Sequence, residues 1–97
     1  MSLLANRIVC IYNRKTSMRL TPMEWKAIDY ICEQENIPRK DLFELIELNR
    51  SEQTNLTAAI RLFTLIYYKN ALTKIYSQQT EEDTPASRIY KAIEKIV

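Results

Sequence analysis

The side chains best suited to chemistry stand in "KTSMRL", where Lys15, Ser17 and Arg19 alternate with Thr16, Met18 and Leu20. In an extended chain this period of two turns Lys15, Ser17 and Arg19 to one side and Met18 and Leu20 to the other. An ammonium, a hydroxyl and a guanidinium in one row form a set of hydrogen-bond donors for an anionic, acceptor-rich surface. They do not form a catalytic set. The chain has no histidine, so it lacks the commonest general base and metal ligand, and no glycine, which excludes a Gly-rich phosphate loop. Cys10 and Cys32 belong to no CxxC pattern and read as free thiols of a reducing cytoplasm. Glu81, Glu82 and Asp83 cluster in a polar linker, where solvation explains them. The residues point to neither an enzyme nor a bound cofactor or metal.

Charge supports the same direction. The net charge is only +2, but residues 1–20 carry Arg7, Arg14, Lys15 and Arg19 with no acidic residue, and the remainder holds ten basic and twelve acidic side chains. A basic N-terminal segment on a near-neutral body suggests an anionic partner, nucleic acid first. The longest apolar run, around "LIYY", is too short to span a bilayer.

These residues need elements to hold them. "RIVCIY" (Arg7 to Tyr12) reads as a strand buried on both faces, with its turn at Asn13-Arg14. The alternating strand ends at Thr21 for a physical reason. Thr21-Pro22-Met23-Glu24 spells a capping box with proline at the first helical position, and Leu20 and Trp25 are spaced as a hydrophobic staple. The first helix then runs to about Glu35, and "ENIP" breaks it with Asn36 where a left-handed glycine is usual. A second helix from Pro38 or Arg39 aligns Leu42, Leu45 and Ile46, with Asp41 and Glu44 near its positive end. After "NRSEQTN" a third helix follows Thr54-Asn55. It carries Leu56, Ala59, Ile60 and Phe63 and extends to about Gln78. A fourth, capped by Thr84 and opened by Pro85, carries Ile89, Ile93 and Ile96. The boundaries are a flexible start (1–6), one domain (7–78), and a linker with a C-terminal helix (79–97).

A lone strand needs a partner for its backbone, either "RIVCIY" or its own copy in a second chain. A two-stranded antiparallel ribbon fits the major groove of B-form DNA. The stretch from "RIVCIYNRKTSMRLTPMEW" to "NLTAAIRLFTLIYY" resembles the bacterial ribbon-helix-helix domain family, within the Arc/MetJ-type superfamily. The matching residues are Thr16-Ser17, Arg19-Leu20, Pro22, Trp25, Ala27-Ile28, Ile37, Leu42 and Asn55-Leu56-Thr57-x-Ala59-Ile60-Arg61, over about residues 7–69. The resemblance implies a mainly α fold with a short β-ribbon, an intertwined homodimer, and a cytoplasmic transcriptional regulator or repressor that inserts its ribbon into the major groove.

The resemblance assigns base contacts to Lys15, Ser17 and Arg19, and it implies that the start of the second helix lies against a phosphate. There the family usually has a small hydroxyl residue where this chain has Pro38. The anchor therefore passes to Arg39 and Lys40, by amide or side chain, and Arg14 adds charge near the ribbon. The shared dimer core comprises Met18, Leu20, Trp25, Ile28, Leu42 and Ile46. Arg61 reads as a buried ion-pair partner across the dimer, toward Glu44 or Glu47. A rival reading is a protein-interaction or antitoxin-like dimer that holds a partner protein with its third and C-terminal helices. A weaker third is a non-specific nucleic-acid binder. Further assembly of dimers along DNA is compatible with either DNA-binding reading.

Overall fold

A computed structural model of the chain describes residues 4–77 and 85–96, with the side chains of residues 74–77 and 85–87 excepted. Two strands, β1 (Ala5–Ile11) and β2 (Arg14–Leu20), precede four helices: α1 (Pro22–Glu35), α2 (Arg39–Asn49), α3 (Leu56–Ser77) and α4 (Pro85–Glu94). The strands form one antiparallel pair whose register runs from Ala5↔Leu20 to Ile11↔Arg14. Of the two partners the sequence allowed for the alternating strand, the structure uses the chain's own preceding strand.

β1 departs from its sequence reading in three respects, the first being that it runs from Ala5 to Ile11 rather than from Arg7 to Tyr12. It is buried on one face only: Val9 and Ile11 face the core, whereas Ile8 and Cys10 are exposed. A β-branched run with no polar breaks carries no marker of which face is wet. The turn lies one residue earlier than expected, at Tyr12-Asn13, and both residues adopt positive φ, 48° and 64°. Two left-handed residues match the right-handed twist of a hairpin. Asparagine tolerates that conformation; a bulky tyrosine does so at a cost. Two bonds to α2 hold Tyr12 there: its amide donates to Glu44 Oε2 at 2.7 Å and its hydroxyl to the Glu44 carbonyl at 3.1 Å.

α1 begins and ends as its sequence predicts. The Glu24 amide donates to the Thr21 hydroxyl at 3.1 Å, and the Thr21 amide donates to Glu24 Oε1 at 2.8 Å. At the other end Asn36 is left-handed, with φ 53°, and its amide returns to the last carbonyls of the helix. α2 starts at Arg39 behind Pro38, and no side chain caps it. Asn55 caps α3 by accepting from the Ala58 amide at 2.8 Å. Arg50 braces the preceding loop, donating to the Thr54 carbonyl at 2.7 Å. The expected cap of α4, Thr84, lies outside the described residues, as does the linker before it.

The inner face of the hairpin packs on the helices. Met18, Leu20, Trp25, Ile28, Leu42 and Ile46, expected to form the dimer core, are all buried within the single chain beside Val9, Ile11, Phe43, Ile60 and Phe63. The chain's own elements suffice to cover them. α4 adds Ile89, Ala92 and Ile93 to the same core, and Ile96 just after it joins them. The helix is fastened by a polar junction at the C-terminal end of α1. The Glu35 side chain is 0% exposed and accepts from the Tyr67 hydroxyl at 2.6 Å and from Arg88 Nε at 2.6 Å. Burial, then the hydrogen bond to Glu35, pushes the Tyr67 hydroxyl up to about 12, so it stays a donor.

Candidate nucleic-acid interface

The register places six side chains on the outer face of the hairpin as three cross-strand pairs: Asn6↔Arg19, Ile8↔Ser17 and Cys10↔Lys15. All six are exposed. Lys15, Ser17 and Arg19 thus share one face, opposite the buried Met18 and Leu20, as the alternation predicts. Across the middle of this face the Ser17 hydroxyl donates to Asn6 Oδ1. No acidic residue occurs between Ala5 and Leu20. The surface offers donors and positive charge with nothing to repel a phosphate backbone.

Trp25 supports the ribbon from beneath. Its ring is fully buried and its Nε1–H donates to the Ala5 carbonyl at 2.9 Å, which fixes the start of β1 to α1. Phe43 of α2 packs at 6.4 Å between ring centroids. The guanidinium groups of Arg7 and Arg39 lie 4.7 and 5.4 Å from the centre of the Trp25 ring, within cation–π range. The ring therefore gathers two positive charges from different elements beside β1. The sequence signal for Trp25, the staple, explains its burial but not this gathering.

The start of α2 borders β1, where Arg39, Lys40 and Phe43 line a recess with Ile8, Val9 and Cys10. Arg39 pairs with Asp29 at 3.5 Å at the surface, and the exposed Lys40 reaches the half-buried Glu44 at 3.3 Å. Such pairs, with the cation exposed, are weak and can yield to a phosphate. The Tyr12 amide, with Lys40 beside it, outweighs the effect of burial and holds the Glu44 carboxyl below the usual range. Glu44 thereby links the hairpin tip to the helix that carries Arg39 and Lys40.

Two further arginines lie off the outer face of the ribbon. Arg14 pairs with Ile11, on the face opposite Lys15, Ser17 and Arg19, and lines a recess with Glu47 and Arg50. Within its own chain Arg61 pairs with Glu24. It is exposed, with Nε donating to Glu24 Oε2 at 2.8 Å and a terminal nitrogen 3.5 Å from the Arg19 carbonyl. Glu24 already forms half of the capping box, so one carboxylate joins α1, α3 and the end of β2. Burial opposes ionisation of Glu24, but Thr21 and Arg61 outweigh it, and the carboxyl lies below its usual range.

Sequence reasoning missed Asn6, Ile8 and Cys10 as members of the outer face, and Arg7 as a charge beside it. The signal was a two-residue loop: once Tyr12-Asn13 closes the hairpin, the register assigns every side chain of β1 to a face.

A ribbon with a donor-rich outer face, followed by capped and uncapped helices in this order, is matched by one family model. The model for a ribbon-helix-helix domain covers residues 4–68. The chain belongs to the ribbon-helix-helix domain family. Its members are generally DNA-binding regulators, and the domain is a non-enzymatic one. No curated protein and no solved structure matches the chain. Among the described residues no group of His, Cys, Asp and Glu can hold a metal ion, and no helix is long and apolar enough to cross a membrane.

Proposed function

We propose that the chain binds double-stranded DNA sequence-specifically, lays the outer face of its ribbon in the major groove, and acts as a transcriptional regulator, most simply a repressor. The carrying observation is the solvent-exposed row of Lys15, Ser17 and Arg19 on a ribbon free of acidic residues. The major groove admits a two-stranded ribbon, and its guanine edge accepts two bonds from an arginine. Arg19 takes that role, Ser17 contacts any of several bases, and Lys15 favours guanine. Arg39, Lys40 and the uncapped amides of α2 fall beside the ribbon edge, where a phosphate strand borders the groove.

Two copies act together in this reading. The described residues leave an apolar stripe uncovered on α3, where Leu62, Leu65 and Leu72 are exposed at helical spacing. A 22-residue helix extends about 33 Å, enough for a second copy to pair along it. The same stripe supports the rival reading, capture of another protein. The apolar side of α4 does not, because its isoleucines are buried in the chain's own core.

Selection of bound fragments from a random duplex library, followed by titration of the selected site, tests the proposal. The parent enriches one motif, and Arg19→Ala loses about 1–3 kcal/mol of specific binding with an unchanged fold. Equal binding by parent and variant would remove Arg19 from the groove. Enrichment of nothing would favour the protein-capture reading.

A further inference from the structure

We propose that Arg7, held beside Arg39 on the ring of Trp25, binds a DNA phosphate from a strand that flanks the reading strand. This rests on the two-copy DNA-binding reading above and adds to it a role for β1 and a contact outside the groove.

The hydrogen bonding of the hairpin fixes which edge of β2 is open. Ile11 and Arg14 close the two-residue loop as a hydrogen-bonded pair, so Val9↔Thr16, Arg7↔Met18 and Ala5↔Leu20 are pairs of the same kind. The backbone groups of Lys15, Ser17 and Arg19 therefore point away from β1, and among the described residues the sheet has no third strand to meet them. Arg61 touches this edge, 3.5 Å from the Arg19 carbonyl. A row of unpaired amides and carbonyls is a template for a further strand. When two copies join there, their β2 strands form the central, reading pair, and each β1 lies outside it. Strands stand about 4.8 Å apart, which sets the two β1 strands about 14 Å apart across a groove about 12 Å wide. The central pair enters the groove, and each β1 meets the wall, where the phosphates are.

Arg7 is the one charged residue of β1. It is exposed, and among the described residues it forms no ion pair. Its guanidinium lies 4.7 Å from the centre of the Trp25 ring, and that of Arg39 lies 5.4 Å from the same centre. A carboxylate partner would neutralise the charge, whereas an aromatic ring holds the cation and leaves it positive. The ring is itself fixed, being fully buried with its Nε1–H bonded to the Ala5 carbonyl at 2.9 Å. Two like charges are thus kept together, and Asp29, 3.5 Å from Arg39, is the acidic partner of one of them only. A phosphodiester relieves that repulsion and accepts two bonds from a planar guanidinium. The start of α2 beside them has Pro38 at its N-cap and no side-chain cap. Arg7 supplies a donor that this helix start lacks.

The test uses the full chain and the duplex selected from a random library, with affinity read by fluorescence anisotropy between about 0.05 and 0.2 M salt. Arg7→Met keeps an apolar stem over Trp25 and removes the charge. Each phosphate contact adds about 0.9 to the slope of log affinity against log salt, so the variant's slope should be shallower by about 1.8 for two copies. The parent's advantage should then shrink about twelvefold over that range. Arg7→Lys keeps the charge and should restore the slope. Arg7→Met should discriminate the selected duplex from a scrambled one as well as the parent does, because a phosphate carries no base sequence. Replacement of single phosphates by neutral methylphosphonates should find one position in each half-site that weakens the parent and leaves Arg7→Met unaffected. That comparison is made within each protein, so it holds even where the variant melts lower. The inference is overturned if Arg7→Met has the parent's slope, if Arg7→Lys is as shallow as Arg7→Met, or if Arg7→Met prefers different bases. It is also overturned if every methylphosphonate that weakens the parent weakens Arg7→Met as much. In each of those outcomes specific DNA binding by the parent still stands. If the parent enriches no site at all, the DNA-binding reading itself fails and takes this inference with it.

Discussion

Arg88→Ala isolates the junction that fastens α4. The variant leaves the Glu35 carboxylate buried with the Tyr67 hydroxyl as its remaining partner from the pair of donors, Tyr67 and Arg88, that hold it. Removing one member of a buried ion pair costs about 3–5 kcal/mol, chiefly because the other charge stays behind. Arg88 is itself 34% exposed, so part of its charge is already solvated and the figure is reduced to about 2–3 kcal/mol. For a domain of this size that corresponds to a fall in Tm of roughly 10–20 °C. Glu35→Gln in the Arg88→Ala background removes the stranded charge and keeps an acceptor for Tyr67. The double variant should therefore be more stable than Arg88→Ala alone. Urea unfolding read both by circular dichroism and by the fluorescence of Trp25, the chain's one tryptophan, measures all three stabilities. Coincident transitions would mean that α4 unfolds with the core, and an earlier dichroism transition that it detaches first. If Arg88→Ala falls within 0.5 kcal/mol of the parent, or if adding Glu35→Gln destabilises it further, the reasoning about a buried charge is refuted.

Three further outcomes follow from the geometry of the α1 cap, its ion pair and the two thiols. Thr21→Ala removes one bond of the capping box and should cost about 1 kcal/mol by urea unfolding. The Glu24 carboxyl is held below its unfolded value, so its contribution is complete above that value and is lost as pH falls through the folded one; the stability of the parent should decline below about pH 4.5, and Arg61→Ala should flatten that decline. Among the thiols, burial, reinforced by Asp29 and opposed by Arg39, pushes Cys32 up to about 11, whereas Cys10 is exposed on the reading face. Iodoacetamide near pH 8 should modify Cys10 and spare Cys32, and saturating cognate duplex should protect Cys10. Equal reaction of Cys10 with and without DNA would mean that the outer face is not covered.

The sequence disclosed most where a local rule has one solution. Thr21, Pro22 and Glu24 can be satisfied together only at a helix start, and Asn36 sits where the chain must turn left-handed without glycine. The strict alternation of Lys15 to Leu20 gave the face of each side chain without any knowledge of the partner strand. β1 was less legible because valine, isoleucine and cysteine in succession fit either face. Its assignment came from the Tyr12-Asn13 turn, and a tyrosine is an improbable choice for a left-handed position until the bonds to Glu44 are known. The ion pairs were not legible at all. Arg61 had acidic candidates nearer in sequence, and only the packing of α3 beside the end of β2 selects Glu24, 37 residues away. Arg7 and Arg39 meet at Trp25 through tertiary placement alone. Pro38 was legible as a loss of one amide, and the uncapped start of α2 is its structural counterpart.

The central claim is that the outer face of the ribbon is where DNA binds. Amide chemical shifts of the labelled full chain, followed as a selected duplex is added, test it residue by residue. The account predicts the largest changes at Asn6, Ile8, Cys10, Lys15, Ser17 and Arg19, smaller ones at Arg39 and Lys40, and little change along α4. Shifts concentrated on Leu62, Leu65 and Leu72 with the ribbon unmoved would contradict it.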